Sequence, residues 1–290
     1  MTASADSAGV DTAGRVRPAP AAGARRRFRP GGSLKGWIVP VAIVLLWEGL
    51  SRAGLFDPTL LPGPSAVLDE LRYQLEQGDL FQHIGITLWR VVLGFGAGLA
   101  AATFFGALTG YSRTARALLD PTLQALKAVP SLAWVPLFIL WFGIFEASKI
   151  TLIAVGVFFP IYLALMSGIQ DVDRKLVEVG RVMGFSRLAI VRRILLPATL
   201  PAFFIGARSG LALGWMFVIA AELMGASKGL GFLMFDGQMT GRPAQIIAAL
   251  ILFALIGKAT DALLALCERR MLRWRDSFGG MKEGKPDAQP

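Results

Sequence analysis

Six separate stretches of this chain, 37–56, 84–109, 121–144, 150–168, 200–224 and 244–267, are each long and apolar enough to cross a lipid bilayer. The hydrocarbon core of a bilayer is about 30 Å thick and takes about 20 residues of helix to span. Inside it no water can satisfy a backbone N–H or C=O, so a spanning segment bonds its own backbone as a helix. The sequence therefore predicts an all-α, polytopic membrane protein of about six transmembrane helices. Prolines 40, 130, 136 and 160 fall inside these stretches. Membrane helices tolerate them where neighbouring helices satisfy the freed carbonyls, so they predict kinked helices around a cavity.

Composition closes off the soluble alternatives. Of 290 residues 54% are hydrophobic and only 17% charged, and the mean hydropathy is +0.56. The net charge is +10, but the basic residues stand in short clusters between apolar stretches, which fits a membrane surface and not a nucleic acid. One cysteine, Cys267, and one histidine, His83, leave no disulfide framework and no multi-histidine metal site.

Orientation follows from where lysine and arginine sit. Seven precede the first span, Arg113 and Arg116 form the second connection, six lie in 169–196, and six follow Cys267. The alternate connections hold only Arg72, Lys149, Lys228 and Arg242. Both termini are expected in the cytoplasm, with the loops around Glu76, Glu146 and Gly237 outside. Residues 1–36, rich in Ala, Gly, Pro and Arg, lack the apolar core of a signal peptide and predict a disordered basic cytoplasmic tail. A membrane domain covers 37–275, and 276–290 form a second cytoplasmic tail.

The connection 169–196 has a helical pattern of its own. Asp171 or Asp173 is placed to cap a helix on which Leu176, Val179, Val182 and Met183 recur at helical spacing. Gly184 stands where a left-handed turn would end that helix, and Ser186 can cap a second one running to Pro197. A helix lying across the cytoplasmic face can transmit force from a soluble partner; an amphipathic helix anchored to headgroups has the same pattern.

Ionisable residues inside spans cost about 2.5 to 3.5 kcal/mol each on insertion scales, so each calls for a reason. Glu48 with Arg52, and Lys258 with Asp261, are spaced for pairing within one helix. Arg90, Lys127, Arg208 and Glu222 have no such local partner and are candidates for lining a translocation path. The glycine-rich Gly225–Gly231 segment predicts a turn or re-entrant loop at an outer cavity mouth. No Gly-x-x-x-x-Gly-Lys-Ser/Thr phosphate loop is present, so this chain is not expected to hydrolyse ATP.

Within 169–196, Glu178-Val179-Gly180, three residues, Gly184, nine residues, and then Ile194-Leu195-Leu196-Pro197 match the spacing of the EAA motif. The chain thereby resembles the binding-protein-dependent ABC permeases, with Val179 and Gly180 replacing two alanines. Val129–Ala133, Phe159–Tyr162, Ala221-Glu222 and Glu268-Arg269 extend the likeness, which covers about 37–276 and is nearest the nitrate/sulfonate/taurine branch and its aliphatic sulfonate permeases. The resemblance implies the type I ABC importer permease fold, with a core module at about 81–268. It implies a coupling role for Glu178, Val179, Gly180, Gly184, Ile194, Leu196 and Pro197. It further implies a second permease copy (a homodimer), two ABC ATPase subunits that use the ATP, and a periplasmic or extracellular substrate-binding protein. The expected function is import of aliphatic sulfonates, or else of nitrate, taurine or another small organic anion, across the cell inner membrane. No cofactor, metal or nucleic acid is expected. An ion-coupled secondary transporter is the rival class, but the repeated halves and discontinuous midplane helices of such proteins are not visible here.

Overall fold

A computed structural model describes residues 35–273, and all of its regular structure there is helical. The chain divides into two units, 1–46 and 47–290. The first unit's described residues, 35–46, are the leading part of helix α1, Lys35–Arg52. Residues 1–34 of the basic tail and the C-terminal tail lie outside the described residues, whereas Lys35 and Gly36, expected in the disordered tail, already belong to α1.

Among the described residues four helices, not six, are individually long and apolar enough to cross a membrane. They are α3 (Leu80–Tyr111), α6 (Glu146–Gln170), the continuous helix Leu188–Leu223, whose upper part is α9 (Leu196–Leu223), and α11 (Pro243–Met271). The remaining two expected spans depart for identifiable reasons. Helix α1 is 18 residues long and includes Lys35, Glu48 and Arg52, and it ends before Gly54, whose φ is +70°. The stretch 121–144 is broken: α4 (Arg113–Ala128) meets the 3-10 turn Ser131–Trp134 and α5 (Val135–Phe142) at an angle of 89°. Val129, extended at ψ 123°, makes the corner, the conformation that the ring of Pro130 favours in the residue before it. Together these two helices count as one broken span or a re-entrant loop, which makes up to five spans by length and composition, and α1, uncharged from 36 to 47, is the remaining candidate for a sixth.

Glycine holds the centre together. On α3, Gly94, Gly98, Ala102, Gly106 and Gly110 recur every four residues and are all buried. A Cβ on Gly98 would sit 2.6 Å from the Ala154 carbonyl oxygen, and one on Gly110 would sit 2.8 Å from Ile169 Cδ1. Helix α6 presents its other side to α9 in the same way, with Gly206 and Gly210 against Ile161 and Gly156 against the ring of Phe217. Between helices in lipid there is no hydrophobic drive, so close backbone approach at small residues supplies the attraction through dispersion. The result is a block, α3–α6–α9, in which Val157, Ile161 and Ile153 are fully buried.

Two shorter helices were not foreseen. Helix α2 (Pro64–Gln77) opens on Pro64, whose fixed φ suits a first helical turn. It is held by Glu70, which accepts a 2.7 Å hydrogen bond from Arg242, whose guanidinium also lies 5.2 Å above the Tyr73 ring. Helix α10 (Leu230–Met239) follows the glycine-rich turn and packs on α11 and α9.

Candidate functional site

The connection 169–196 folds as its pattern predicts. Helix α7 (Arg174–Val182) is capped by Asp173, whose carboxylate accepts from the Lys175 amide at 2.9 Å. Its other end is a Schellman turn: Phe185 N–H donates to the Gly180 carbonyl, Gly184 N–H donates to Arg181, and Gly184 takes φ +75°. The Ser186 hydroxyl accepts from Ala189 N–H and starts α8 (Arg187–Ile190). Five residues of wider, π-type helix, Val191–Leu195, then join α8 to α9. Pro197 has no N–H for the helix ladder, and the widened turn just before it absorbs that mismatch.

Of the seven motif residues, Gly180 is the only one buried, and its face is covered by Ile194. Glu178 is exposed, as are Val179 and Leu196. On α7 and the turn after it, Val179 with Leu176, Val182 and Met183, the last two at 89% and 66% exposure, makes an apolar surface around the Glu178 carboxylate. Beside it opens a cleft of ≈ 890 Å³ lined by Glu178, Arg113, Arg116, Arg174 and Arg181. Arg116 is partly committed there, donating to the carbonyls of Thr109 and Gly110 at the end of α3.

Arg90 and Glu222 are not unpartnered, as the sequence suggested; they bind one another. Arg90 Nη1 donates to Glu222 Oε1 at 2.8 Å and to the Lys228 carbonyl at 2.7 Å. Its Nε and Nη2 grip both oxygens of Glu146 at 2.6 and 2.7 Å. Glu222 also accepts from Thr87 Oγ1 at 2.8 Å and from the Gly231 amide at 2.7 Å, so it caps the N-terminus of α10. His83 Nδ1 accepts from the Gly229 amide at 2.9 Å. The Gly225–Gly231 turn is thus folded onto Glu222. A Cβ on Gly229 would stand 2.5 Å from the Glu222 carboxyl carbon, and its φ of +124° favours glycine as well. Arg90 and Glu222 are 2% and 1% exposed, so this end of α3, α6, α9 and α10 is fastened by a buried ion cluster that leaves neither charge open to a passing solute.

Arg208 likewise has a partner: it forks onto Asp261 of α11 at 2.9 and 3.1 Å and reaches Glu268 at 3.5 Å. The expected Lys258–Asp261 pair is therefore absent, because Asp261 faces Arg208. The expected Glu48–Arg52 pair is present at 2.6 Å, and Glu48 also accepts from the Ser65 amide. Lys127 lies exposed in the last turn of α4 and forms no ion pair among the described residues. Sequence reasoning could not have found the two cross-helix pairs, whose members lie 132 and 53 residues apart.

Residues 94–273 match the family model described as binding-protein-dependent transport system inner membrane component. The chain belongs to that family. This permease is 40% identical over 256 residues to the putative aliphatic sulfonates transport permease protein SsuC of Bacillus subtilis, covering 88% of the chain and 92% of that protein. It is 31% identical over 237 residues to the taurine transport system permease protein TauC of Escherichia coli, covering 80% of the chain and 86% of TauC. Among solved structures, the MetNI methionine ABC transporter in its inward-facing conformations has a chain that superposes with a TM-score of 0.54 at 22% identity. That match covers 67% of the permease and 95% of the MetNI chain, and it supports the fold assignment. The permease is accordingly a multi-pass membrane component of an ABC transporter.

Proposed function

We propose that this permease forms the pathway of an ATP-driven importer of aliphatic sulfonates in the cell inner membrane, with both termini cytoplasmic. A second copy completes the pathway, two ATPase subunits dock on the cytoplasmic side, and an external binding protein delivers the substrate. The observation that carries the reading is the capped helix α7, which ends in the Gly184 turn and presents Glu178 among exposed Val179, Val182 and Met183. An apolar patch of this kind around a charge is suited to a protein partner and costly to leave in water. ATP-driven closure of the ATPases would displace α7 and switch the pathway between inward and outward access, two states biased by the nucleotide. Glu178, Val179, Gly180, Gly184, Ile194, Leu196 and Pro197 are the coupling residues in this scheme. Arg208 is retained on the path, whereas Arg90 and Glu222 are assigned to the fastening of the outer end. Lys127, exposed at the end of α4, is a weaker path candidate.

The substrate class is supported by the sulfonate relatives, with taurine as the alternative. Deleting the gene should abolish growth on an alkanesulfonate as sole sulfur source and spare growth on sulfate. Persistent growth on the sulfonate together with failed taurine or nitrate uptake would reassign the substrate and leave the importer in place. Co-purification of an ATPase subunit with the tagged permease separates an importer from an ion-coupled carrier.

A further inference from the structure

A cavity of ≈ 410 Å³ opens between α9 and α11, walled by Trp215, Met216, Ile219, Phe253 and Ala254 and floored by Arg208, Lys258 and Asp261. Its size and make-up suit a small amphiphile: mostly apolar walls with a few convergent polar groups. Arg208 is already committed, because both oxygens of Asp261 occupy its fork. Lys258 is exposed and makes no ion pair or hydrogen bond among the described residues. It stands near the middle of a 29-residue span. With this helix centred in a hydrocarbon core of about 30 Å, Lys258 lies about 15 Å from either headgroup layer, beyond the reach of a snorkelling lysine. A charge so placed faces a water-filled cavity or a protein, and it is a functional group by default.

We propose that Lys258 and this cavity form a transit site for a small organic anion with an apolar tail, the alkanesulfonate class. The inference rests on the importer reading above and adds the residue that receives the anion. A sulfonate keeps its negative charge at every physiological pH and offers three acceptor oxygens, which a compact ammonium with three rotatable donors can meet from several directions. Its alkyl chain would lie along Trp215, whose indole N–H is held by the Thr260 hydroxyl at 2.9 Å and so keeps the ring fixed as a wall. Asp261 occupies the fork of Arg208 and Glu268 reaches it at 3.5 Å, so Lys258 is the one cation on the cavity floor without an ion-pair partner among the described residues. One lysine contact and an apolar trough hold the anion weakly enough to let it go, whereas a free arginine fork would bind it bidentately and retain it.

The test is a titration of Trp215 emission in the detergent-solubilised full-length permease with 1-pentanesulfonate, and with 1-pentanol as the uncharged control. A Trp215→Phe variant identifies the signal. Saturable quenching by the sulfonate is expected in the wild type, weakened about tenfold or more in Lys258→Met and regained in Lys258→Arg. Ala254→Phe, which fills the cavity without touching a charge, should also abolish it and keeps the test valid if Lys258→Met fails to fold. Equal quenching in Lys258→Met, in Ala254→Phe or by pentanol would overturn the site. So would a finding that Lys258→Met separates two copies of the chain, since Lys258 would then pair across an interface. Uptake of pentanesulfonate by the reconstituted wild-type transporter is measured alongside. Uptake with unaltered Lys258→Met binding removes only this site, whereas absent wild-type uptake removes the sulfonate reading and the site together.

Discussion

Gly180 and Ile194, from opposite ends of the motif, lie against one another: a Cβ on Gly180 would stand 2.6 Å from Ile194 Cδ1. The spacing between them places the helix that carries Glu178 on the helical stretch that feeds α9. The replacement of an alanine by glycine at position 180 is thus matched by the reach of the isoleucine opposite.

That contact yields a paired prediction. Gly180→Ala should cost less than about 1 kcal/mol, because the opposing atom is the far end of a flexible side chain, whereas Gly180→Leu should cost about 1 to 3 kcal/mol by overpacking. Adding Ile194→Ala should relieve the leucine variant. Substrate-stimulated ATP hydrolysis by the assembled transporter reads the effect, and an unrelieved double variant would show that the two side chains do not meet.

At Gly184, φ of +75° demands glycine. Gly184→Val should cost about 1 to 2 kcal/mol and uncouple ATP hydrolysis from transport while the chain still inserts. Glu178→Lys should give the same uncoupling through the docking surface and leave thermal stability unchanged. Normal uptake by the double variant would reduce α7 to an amphipathic connector.

The Arg90–Glu222–Glu146 cluster behaves as a unit. Arg90→Met leaves Glu222 and Glu146 buried or half-buried without their shared cation and should cost about 3 to 5 kcal/mol. Glu222→Gln keeps one acceptor oxygen, within reach of both Thr87 and Gly231, turns its NH2 toward an Arg90 still paired with Glu146, and should cost less. Combining the two should be cheaper than their sum, because the remaining charge is then no longer stranded. Melting temperature in detergent measures all three, and strict additivity would count against a shared cluster.

Across α9 and α11, Arg208→Asp and Asp261→Arg should each impair uptake, and together they should restore part of it. Failure of the exchange, with both singles silent, would mean that the pair does not join these helices.

Reporter fusions test orientation. Fusions after Gln77 and Gly237 should report outside and one after Met271 inside; a C-terminal reporter active only outside would reverse the assignment.

Local chemistry was legible in the sequence because its causes are local. The Asp173 cap, the Gly184 turn and the Ser186 cap each depend on residues within a turn or two, and all three are present. The Val129–Pro130 corner was equally local, yet an average over apolar content smooths over it. The step of four from Gly94 to Gly110 was also in view, but hydropathy alone registers such residues only as weakly apolar. Arg90 with Glu222 and Arg208 with Asp261 were beyond reach, because nothing near either residue indicates which distant helix will present the counter-charge.

The glycine contacts between α3, α6 and α9 have a mechanical consequence. Where a side chain of one helix is seated directly on a glycine of the next, neither sliding nor splaying is available without steric collision or an empty seam. These three helices therefore form one stiff block, and the importer proposal requires any change of access to fall at its margins: the corner at Val129, the π-type turn at Val191–Leu195 and the trough beside α11.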